Sequence, residues 1–160
     1  MTLLLGPNID FLLNRHNHIT FNRYGETVFR LHRDVLQWSR SVVTALVYLE
    51  DSNLSNGCTH IVPTSQYLPF VGTPNNGGTW MDEHSVYKDL ISQNIPVIAE
   101  KGDVLFMDSL MFHSVGMNNS NQTRISLNLA YTSVDELLPL DYSKYRVLVK
   151  GERLYRGNIF

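Results

Sequence analysis

The sequence predicts a mainly β protein, either a sandwich or a double-sheet jelly roll, and three observations support this. Short runs of β-branched and aromatic residues recur along the chain, turn-forming Gly, Pro, Asn and Asp separate them, and helical patterns are confined to two segments. Antiparallel strands at such spacing are typical of these architectures. The 160 residues suit one domain covering 1–160, and no repeat or linker divides it.

Taken in order, the strand patterns number eight. They cover residues 18–22, 27–35, 41–50, 59–64, 95–100, 103–108, 112–117 and 124–133. Helical patterns cover 7–17, where Pro7 favours a first turn, and 81–93, where Val86 and Leu90 begin an apolar face. Residues 65–80 read as a long loop, and we expect the 65–93 region to act as a binding loop or lid.

The composition argues against nucleic-acid-binding and membrane-spanning proteins. A formal net charge of -2 argues against a nucleic-acid partner, because phosphate binding normally requires a basic excess. The longest apolar run, 42–49, is far shorter than a membrane helix, and the first residues lack a signal-peptide pattern. We therefore expect a cytoplasmic protein with no membrane partner. Cys58 is the single cysteine, which excludes an intrachain disulfide and suggests a buried structural thiol.

Two predicted strands combine an apolar face with a polar one. In 27–35, His32 and Asp34 share a face with Arg30, whereas Phe29 and Leu31 point the other way. In 124–133, polar and apolar residues alternate in the same manner, with Arg124, Ser126 and Asn128 on one side and Ile125, Leu127 and Leu129 on the other. A solvated outer face would explain either strand alone. Both together favour polar faces that line a site.

The polar face of 27–35 suggests a metal site. Residues i and i+2 of a strand project the same way, so His32 and Asp34 could bind one ion, and His113 is the best third ligand. Two histidines and one carboxylate with open positions are typical of non-haem Fe(II) oxygenases. We expect a hairpin to bring His113 and Arg124 into one cavity. There the guanidinium would bind a carboxylate bidentately and Ser126 would add a hydroxyl, which suits a dicarboxylate co-substrate.

These motifs resemble one known family. "LHRD", "VVTALVYLEDSNLSNGCTHIVPTS" and "KGDVLFMDSLMFHSVGMNNSNQTRISLNLAY" occur in the order found in the phytanoyl-CoA dioxygenase family of Fe(II)/2-oxoglutarate oxygenases. The resemblance covers about residues 10 to 135. It implies a double-stranded β-helix, which is a cupin-like jelly roll, with Fe(II) and 2-oxoglutarate as cofactors. It also implies His32, Asp34 and His113 as metal ligands, and Arg124 with Ser126 as the co-substrate site.

The resemblance further implies an activity. It predicts a dioxygenase that hydroxylates a small organic substrate with O2 and releases succinate and CO2. Related halogenases replace the carboxylate ligand with a small residue, so the presence of Asp34 favours hydroxylation.

The sequence departs from the family in two places. Thr64 and Gln66 stand where the family often has other residues in the proline turn, which we interpret as structural variation. Family members usually begin with a substantial helical region, whereas this chain reaches its first predicted strand after about 17 residues. The start therefore looks short, and we expect Phe29 and Leu31 to lack part of their usual cover, which a homo-oligomer could supply.

Other interpretations stay open. The chain could be a non-catalytic cupin-like metal- or ligand-binding module, a truncated oxygenase fragment, or, less favoured, a zinc hydrolase that uses the same three ligands. His16 and His18 are interpreted as an ordinary polar strand entry, because no carboxylate accompanies them. A structural ion pair is favoured for Arg30 over a substrate contact. For Asn128, a pocket role and a barrel hydrogen bond are equally supported.

Overall fold

A computed structural model of the chain describes residues 1–14, 16–26, 30–34, 42–68, 85–136 and 144–153. Within these ranges one short α-helix and nine strands form. They are α1 (Thr2–Leu5), β1 (Ile9–Leu12), β2 (His18–Asn22), β3 (Val43–Tyr48), β4 (Thr59–Ile61), β5 (Ile95–Val97), β6 (Val104–Asp108), β7 (His113–Val115), β8 (Arg124–Ser133) and β9 (Arg146–Lys150). Two 3-10 helices span Ser65–Tyr67 and Ser85–Gln93.

The larger sheet is built around β8, the longest of these strands. Its order is β6-β3-β8-β1-β9, and β2 also pairs with β8 beyond the end of β1. The pairings are antiparallel, with Leu46 opposite Asn128 on one side of β8 and Thr20 opposite Ser126 on the other. Because cross-strand partners share a face, β2, β3 and β8 present one common inner surface.

The smaller sheet has the order β5-β4-β7, again with antiparallel pairing. A single bridge between His32 and His113 adds the 30–34 segment to the free side of β7. Residues of both sheets line one cavity between them. The protein is thus mainly β with a double-sheet jelly-roll architecture, which confirms the fold class.

The alternation predicted for β8 is present, and its polar face is the inner one. Arg124 and Ser126 are buried, whereas Ile125 and Leu127 on the outer face are only half-buried. At one end of this outer face, α1 supplies Leu5, which packs against Ile9 and Val43. Elsewhere large apolar side chains remain about half exposed, namely Ile19, Phe21 and Phe106.

The predicted N-terminal helix over 7–17 is wrong. Residues Ile9–Leu12 form β1, a central strand between β8 and β9. Its Ile9, Asp10 and Leu12 are buried, because the strand is covered on both faces and therefore does not show simple alternation. Strand β9 was not predicted, although its "RVLVK" is rich in β-branched residues.

The predicted strand over 27–35 is described only in part, since 27–29 and 35 lie outside the described residues. Within 30–34 no ladder forms beyond the bridge of His32. The expectation that Leu31 lacks cover is wrong: Leu31 is 3% exposed and lies in a cluster with Val62, Tyr87 and Phe112. The 3-10 helix Ser85–Gln93 supplies Tyr87, Leu90 and Ile91 to this cover.

Most of the predicted 65–80 loop falls outside the description, which stops at 68 and resumes at 85. The predicted helix over 81–93 is a 3-10 helix where it is described. No helix in the described ranges combines the length and the apolar character needed to span a membrane.

Candidate metal centre

Three side chains from distant parts of the sequence converge at one end of the cavity. His32, Asp34 and His113 each direct a potential ligand atom into a space where these atoms lie within 4.8 Å of one another. Nε2 of His32 is 3.5 Å from Oδ1 of Asp34, and Nε2 of His113 is 3.3 Å from Oδ2. The structure therefore brings together the three residues that the sequence suggested as ligands.

Backbone hydrogen bonds fix this geometry. The amide of His32 donates to the carbonyl of His113 over 2.9 Å, and the amide of His113 donates back over 3.0 Å. The Asp34 amide donates to the carbonyl of Ser109. Arg33, which lies between His32 and Asp34 in the sequence, points away from the cavity. Its guanidinium donates to the carbonyls of Ser65 and Leu68 and packs over the Phe112 ring. Both sides of the segment are thereby anchored.

The imidazole orientations suit metal binding. Nδ1 of His32 lies 3.2 Å from the Arg30 carbonyl oxygen, and Nδ1 of His113 lies 3.0 Å from that of Met111. A carbonyl only accepts hydrogen bonds, so each Nδ1 carries the hydrogen and each neutral ring keeps its lone pair on Nε2. Metal-binding histidines use their second nitrogen in this way.

The carboxylate completes the fit. Oδ2 of Asp34 is buried and has no hydrogen-bond partner among the described residues. Such an atom is costly to bury unless a cation or a hydrogen-bond donor satisfies it. The donor set, two imidazole nitrogens and one carboxylate, suits Fe(II) among the transition metals.

Electrostatics favour the protonation states that a metal needs at Asp34 and His113, but not at His32. Burial would raise the pKa of Asp34, but the neighbouring His113, His32 and His16 outweigh it and hold that pKa below its ordinary value. Burial lowers the pKa of His113 despite the attraction of Asp34. Burial would also lower the pKa of His32, yet Asp34 and the Arg30 carbonyl raise it overall. At neutral pH the carboxylate is therefore charged and His113 is neutral.

His16 also reaches this cluster, which the sequence argument missed. Its Nε2 lies 3.6 Å from Oδ2 of Asp34, and its side chain is 18% exposed. The interpretation of His16 as an ordinary strand entry is wrong, because the turn between β1 and β2 carries it over the cavity. His18 and Asn128 line the same cavity and approach each other to 3.4 Å.

Arg124 and Ser126 lie on β8, on the wall formed by the larger sheet. Arg124 is 4% exposed, and its Nε donates to the carbonyl of Gly57 over 3.2 Å. No carboxylate among the described residues forms an ion pair with it. Burial lowers its pKa, because a buried guanidinium is costly to charge and no described carboxylate balances it. The Ser126 hydroxyl shares a 2.6 Å hydrogen bond with that of Thr20.

Two further hydroxyl groups near Arg124 were not singled out from the sequence. Those of Tyr48 and Thr59 are buried and interact with each other. Burial raises the pKa of Tyr48, which a hydrogen bond with the Thr59 side chain and the charge of Arg124 both oppose. Strand alternation could have predicted that both side chains point inward from β3 and β4. It could not have predicted that they lie near Arg124.

The cavity measures about 420 Å³ and joins these two groups of residues. His113 and Arg124 both line it, but the expected hairpin between their strands is wrong: β7 pairs with β4 in the smaller sheet, whereas β8 belongs to the larger one. The site thus faces inward from both sheets. Arg124 also borders a second, polar pocket of about 230 Å³, shared with Glu50 and Lys101.

Cys58 adjoins this region but is fully buried. Burial raises the pKa of its thiol, and its Sγ is 3.9 Å from Nε2 of His60. These features agree with the structural role expected from the sequence.

A double-sheet jelly roll with a His-Asp-His cluster in its cavity defines a candidate metal-dependent enzyme of the 2-His-1-carboxylate type. The chain belongs to the phytanoyl-CoA dioxygenase (PhyH) family, whose sequence pattern matches residues 6–126. No curated protein matches the chain by sequence.

Solved structures share the fold at low sequence identity. The non-heme monooxygenase ThoJ in its Ni complex is 16% identical, with a TM-score of 0.70 over 94% of this chain and 55% of that chain. The epimerase SnoN, in complex with Fe3+, alpha ketoglutarate and nogalamycin RO, is 21% identical, with a TM-score of 0.68 over 95% and 66%. EvdO2 from Micromonospora carbonacea var. aurantiaca, complexed with 2-oxoglutarate, is 16% identical, with a TM-score of 0.61 over 84% and 56%. The chain therefore spans about half to two thirds of these proteins.

Proposed function

We propose that the protein is an Fe(II)- and 2-oxoglutarate-dependent dioxygenase that hydroxylates a small organic substrate. The observation that carries this proposal is the pairing of two features in one cavity. A cluster with the ligand set of a non-haem iron site lies on one wall, and a buried arginine that has no carboxylate partner among the described residues lies on the other. A co-substrate that binds metal at one end and carries a carboxylate at the other suits both.

The proposed roles follow from the chemistry of each side chain. His32, Asp34 and His113 would hold the iron, with Nε2 of each imidazole as the ligand atom. Arg124 would bind the distal carboxylate of 2-oxoglutarate through its planar guanidinium. Ser126 would add a hydrogen bond from its hydroxyl.

The chemistry supplied by iron in such a site is the activation of O2, coupled to decarboxylation of 2-oxoglutarate to succinate and CO2. The chain's own contribution is to position and to enclose. The backbone bridge between His32 and His113 sets the ligand geometry before any metal binds. Arg124 is buried, so little water would reach its guanidinium, and this would strengthen its pairing with the co-substrate carboxylate.

The test is succinate formation by the metal-free protein loaded anaerobically with Fe(II) and 2-oxoglutarate and then exposed to O2. Slow turnover without substrate is enough for detection. We expect Asp34→Ala to abolish it, because the ligand set loses its only carboxylate. Asp89→Ala, which removes an exposed carboxylate from the 3-10 helix, is the matched control and should retain the parent's rate.

Two outcomes contradict the proposal. An Asp34→Ala variant as active as the parent would exclude the ligand assignment. A parent that binds Fe(II) and 2-oxoglutarate but forms no succinate, alone or with a panel of small substrates, would favour a non-catalytic binding module instead.

A further inference from the structure

We propose that His16 is a positioning residue for the metal site: its Nε2–H donates to the Asp34 carboxylate and holds it as a ligand. This inference rests on the metal site of the proposed function. It adds a fourth side chain, supplied by a different part of the chain, to the three candidate ligands.

The geometry places His16 where such a donor is needed. It lies in the turn between β1 and β2, lines the central cavity, and brings Nε2 to 3.6 Å from Oδ2 of Asp34. This oxygen is the buried atom that has no hydrogen-bond partner among the described residues. A small closure of the side chain on metal binding would bring the pair within hydrogen-bonding distance.

The available hydrogen-bond donors around Asp34 also point to His16. The described side-chain contacts of the Asp34 carboxylate are all with imidazoles, namely those of His16, His32 and His113. The two ligand histidines commit Nδ1–H to backbone carbonyls and would commit Nε2 to the metal. Neither can then donate to Asp34. Among the described contacts, His16 remains to satisfy the carboxylate oxygen that does not bind the ion.

The backbone at His16 supports a specific role. Its φ is 44°, in the left-handed region that residues other than glycine seldom occupy. This conformation costs about 1 kcal/mol for an ordinary residue and is tolerated where surrounding structure or function requires it. Here it turns the imidazole towards Asp34.

The test compares Co(II) binding to the metal-free protein by titration calorimetry. His16→Asn suits the left-handed backbone but is one bond too short to reach Asp34, whereas His16→Gln restores the reach and keeps an N–H. We expect Asn to weaken Co(II) affinity by about ten- to a hundredfold, and Gln to retain it within about threefold. Asn14→Ala, a change of an exposed residue in the same turn that does not line the cavity, should leave the affinity at the parent's value.

Proton NMR of the Co(II)-loaded protein separates positioning from direct ligation, because the N–H signals of ligated imidazoles are strongly shifted. We expect two such signals in both the parent and His16→Asn. Three signals in the parent and two in the variant would make His16 a ligand and overturn the proposal. An unchanged affinity in His16→Asn, or an equal loss in His16→Gln, would also overturn it. A parent that fails to bind Co(II) would overturn the proposed function together with this inference.

Discussion

At the scale of single residues, Arg124 offers the most direct measurement of co-substrate binding. A charged hydrogen bond contributes about 1.5–3 kcal/mol, which corresponds to about ten- to a hundredfold in affinity. We expect Arg124→Gln to weaken 2-oxoglutarate binding by that factor, measured by calorimetry on the Mn(II)-loaded protein. Arg124→Lys keeps the charge without the planar fork, so it should lie between Gln and the parent. Arg23→Gln, a change of an exposed arginine, is the control and should bind normally.

Cys58 allows a second test at this scale. Burial raises the pKa of its thiol, so the folded state holds the proton at pH values where the unfolded chain begins to lose it. The contribution of Cys58 to stability is therefore complete below the ordinary pKa of the thiol, 9.0, and declines as pH rises above it. We expect iodoacetamide at pH 8 to leave Cys58 unmodified in the folded protein and to label it fully in urea, as mass spectrometry would show. Rapid labelling of the folded protein would contradict a buried structural thiol.

At the scale of elements, the turn before β4 holds Arg124 in place. Gly57 has a φ of 72°, accepts the Arg124 hydrogen bond through its carbonyl, and lies so close to Gly116 and Asn22 that a Cβ would overlap them. Gly25 has a similar φ of 71° but open space around it. Substituting each glycine by alanine therefore distinguishes two costs: backbone strain alone at Gly25, and strain together with steric overlap at Gly57.

We expect Gly25→Ala to lower the free energy of unfolding by about 1–2 kcal/mol, the cost of a left-handed alanine. Gly57→Ala should cost more than that and should also weaken 2-oxoglutarate binding, because the carbonyl that fixes Arg124 must move. Urea denaturation and calorimetry provide the two measurements. Equal losses in both variants would show that the close approach at Gly57 relaxes without consequence.

The pairing of β1 with β9 depends on a buried ion pair. Asp10 on β1 is fully buried and contacts Arg146 on β9 at 2.7 Å, while Arg153 beyond β9 binds the same carboxylate with two hydrogen bonds. Removing one member of a buried pair leaves an uncompensated charge and typically costs about 3–5 kcal/mol. We expect Asp10→Ala to destabilise by about that amount in urea denaturation. Arg153→Ala should cost less, since its side chain is 37% exposed.

The same elements show how far the sequence alone could lead. Seven of the predicted strands appear, because half-buried strands such as β2 and β8 alternate polar and apolar residues. β1 was read as a helix because a strand covered on both faces does not alternate, and because its Asp10 acquires a partner only from β9. The i and i+2 spacing predicts the candidate ligand pair His32 and Asp34, whereas the approach of His16 depends on the path of a turn.

At the scale of the whole molecule, the outer face of the larger sheet exposes an unusual amount of apolar side chain. Ile19 and Phe106 are about half exposed there, beside the half-buried Leu127. Exposed apolar area of this kind binds hydrophobic dyes. We expect Ile19→Thr with Phe106→Thr to lower 8-anilinonaphthalene sulfonate fluorescence clearly, and to change the free energy of unfolding by only about 1 kcal/mol. Leu54→Thr, a change of an isolated exposed leucine, should leave the fluorescence unaltered.

Arg124 lines both the central cavity and the small polar pocket outside it, so its side chain lies at the boundary of the two spaces. Shortening it would do more than remove a binding group. We expect it also to connect the central cavity with the polar pocket, so that water could reach the proposed co-substrate from that side. We therefore expect Arg124 to limit the access of water to 2-oxoglutarate as well as to bind its carboxylate.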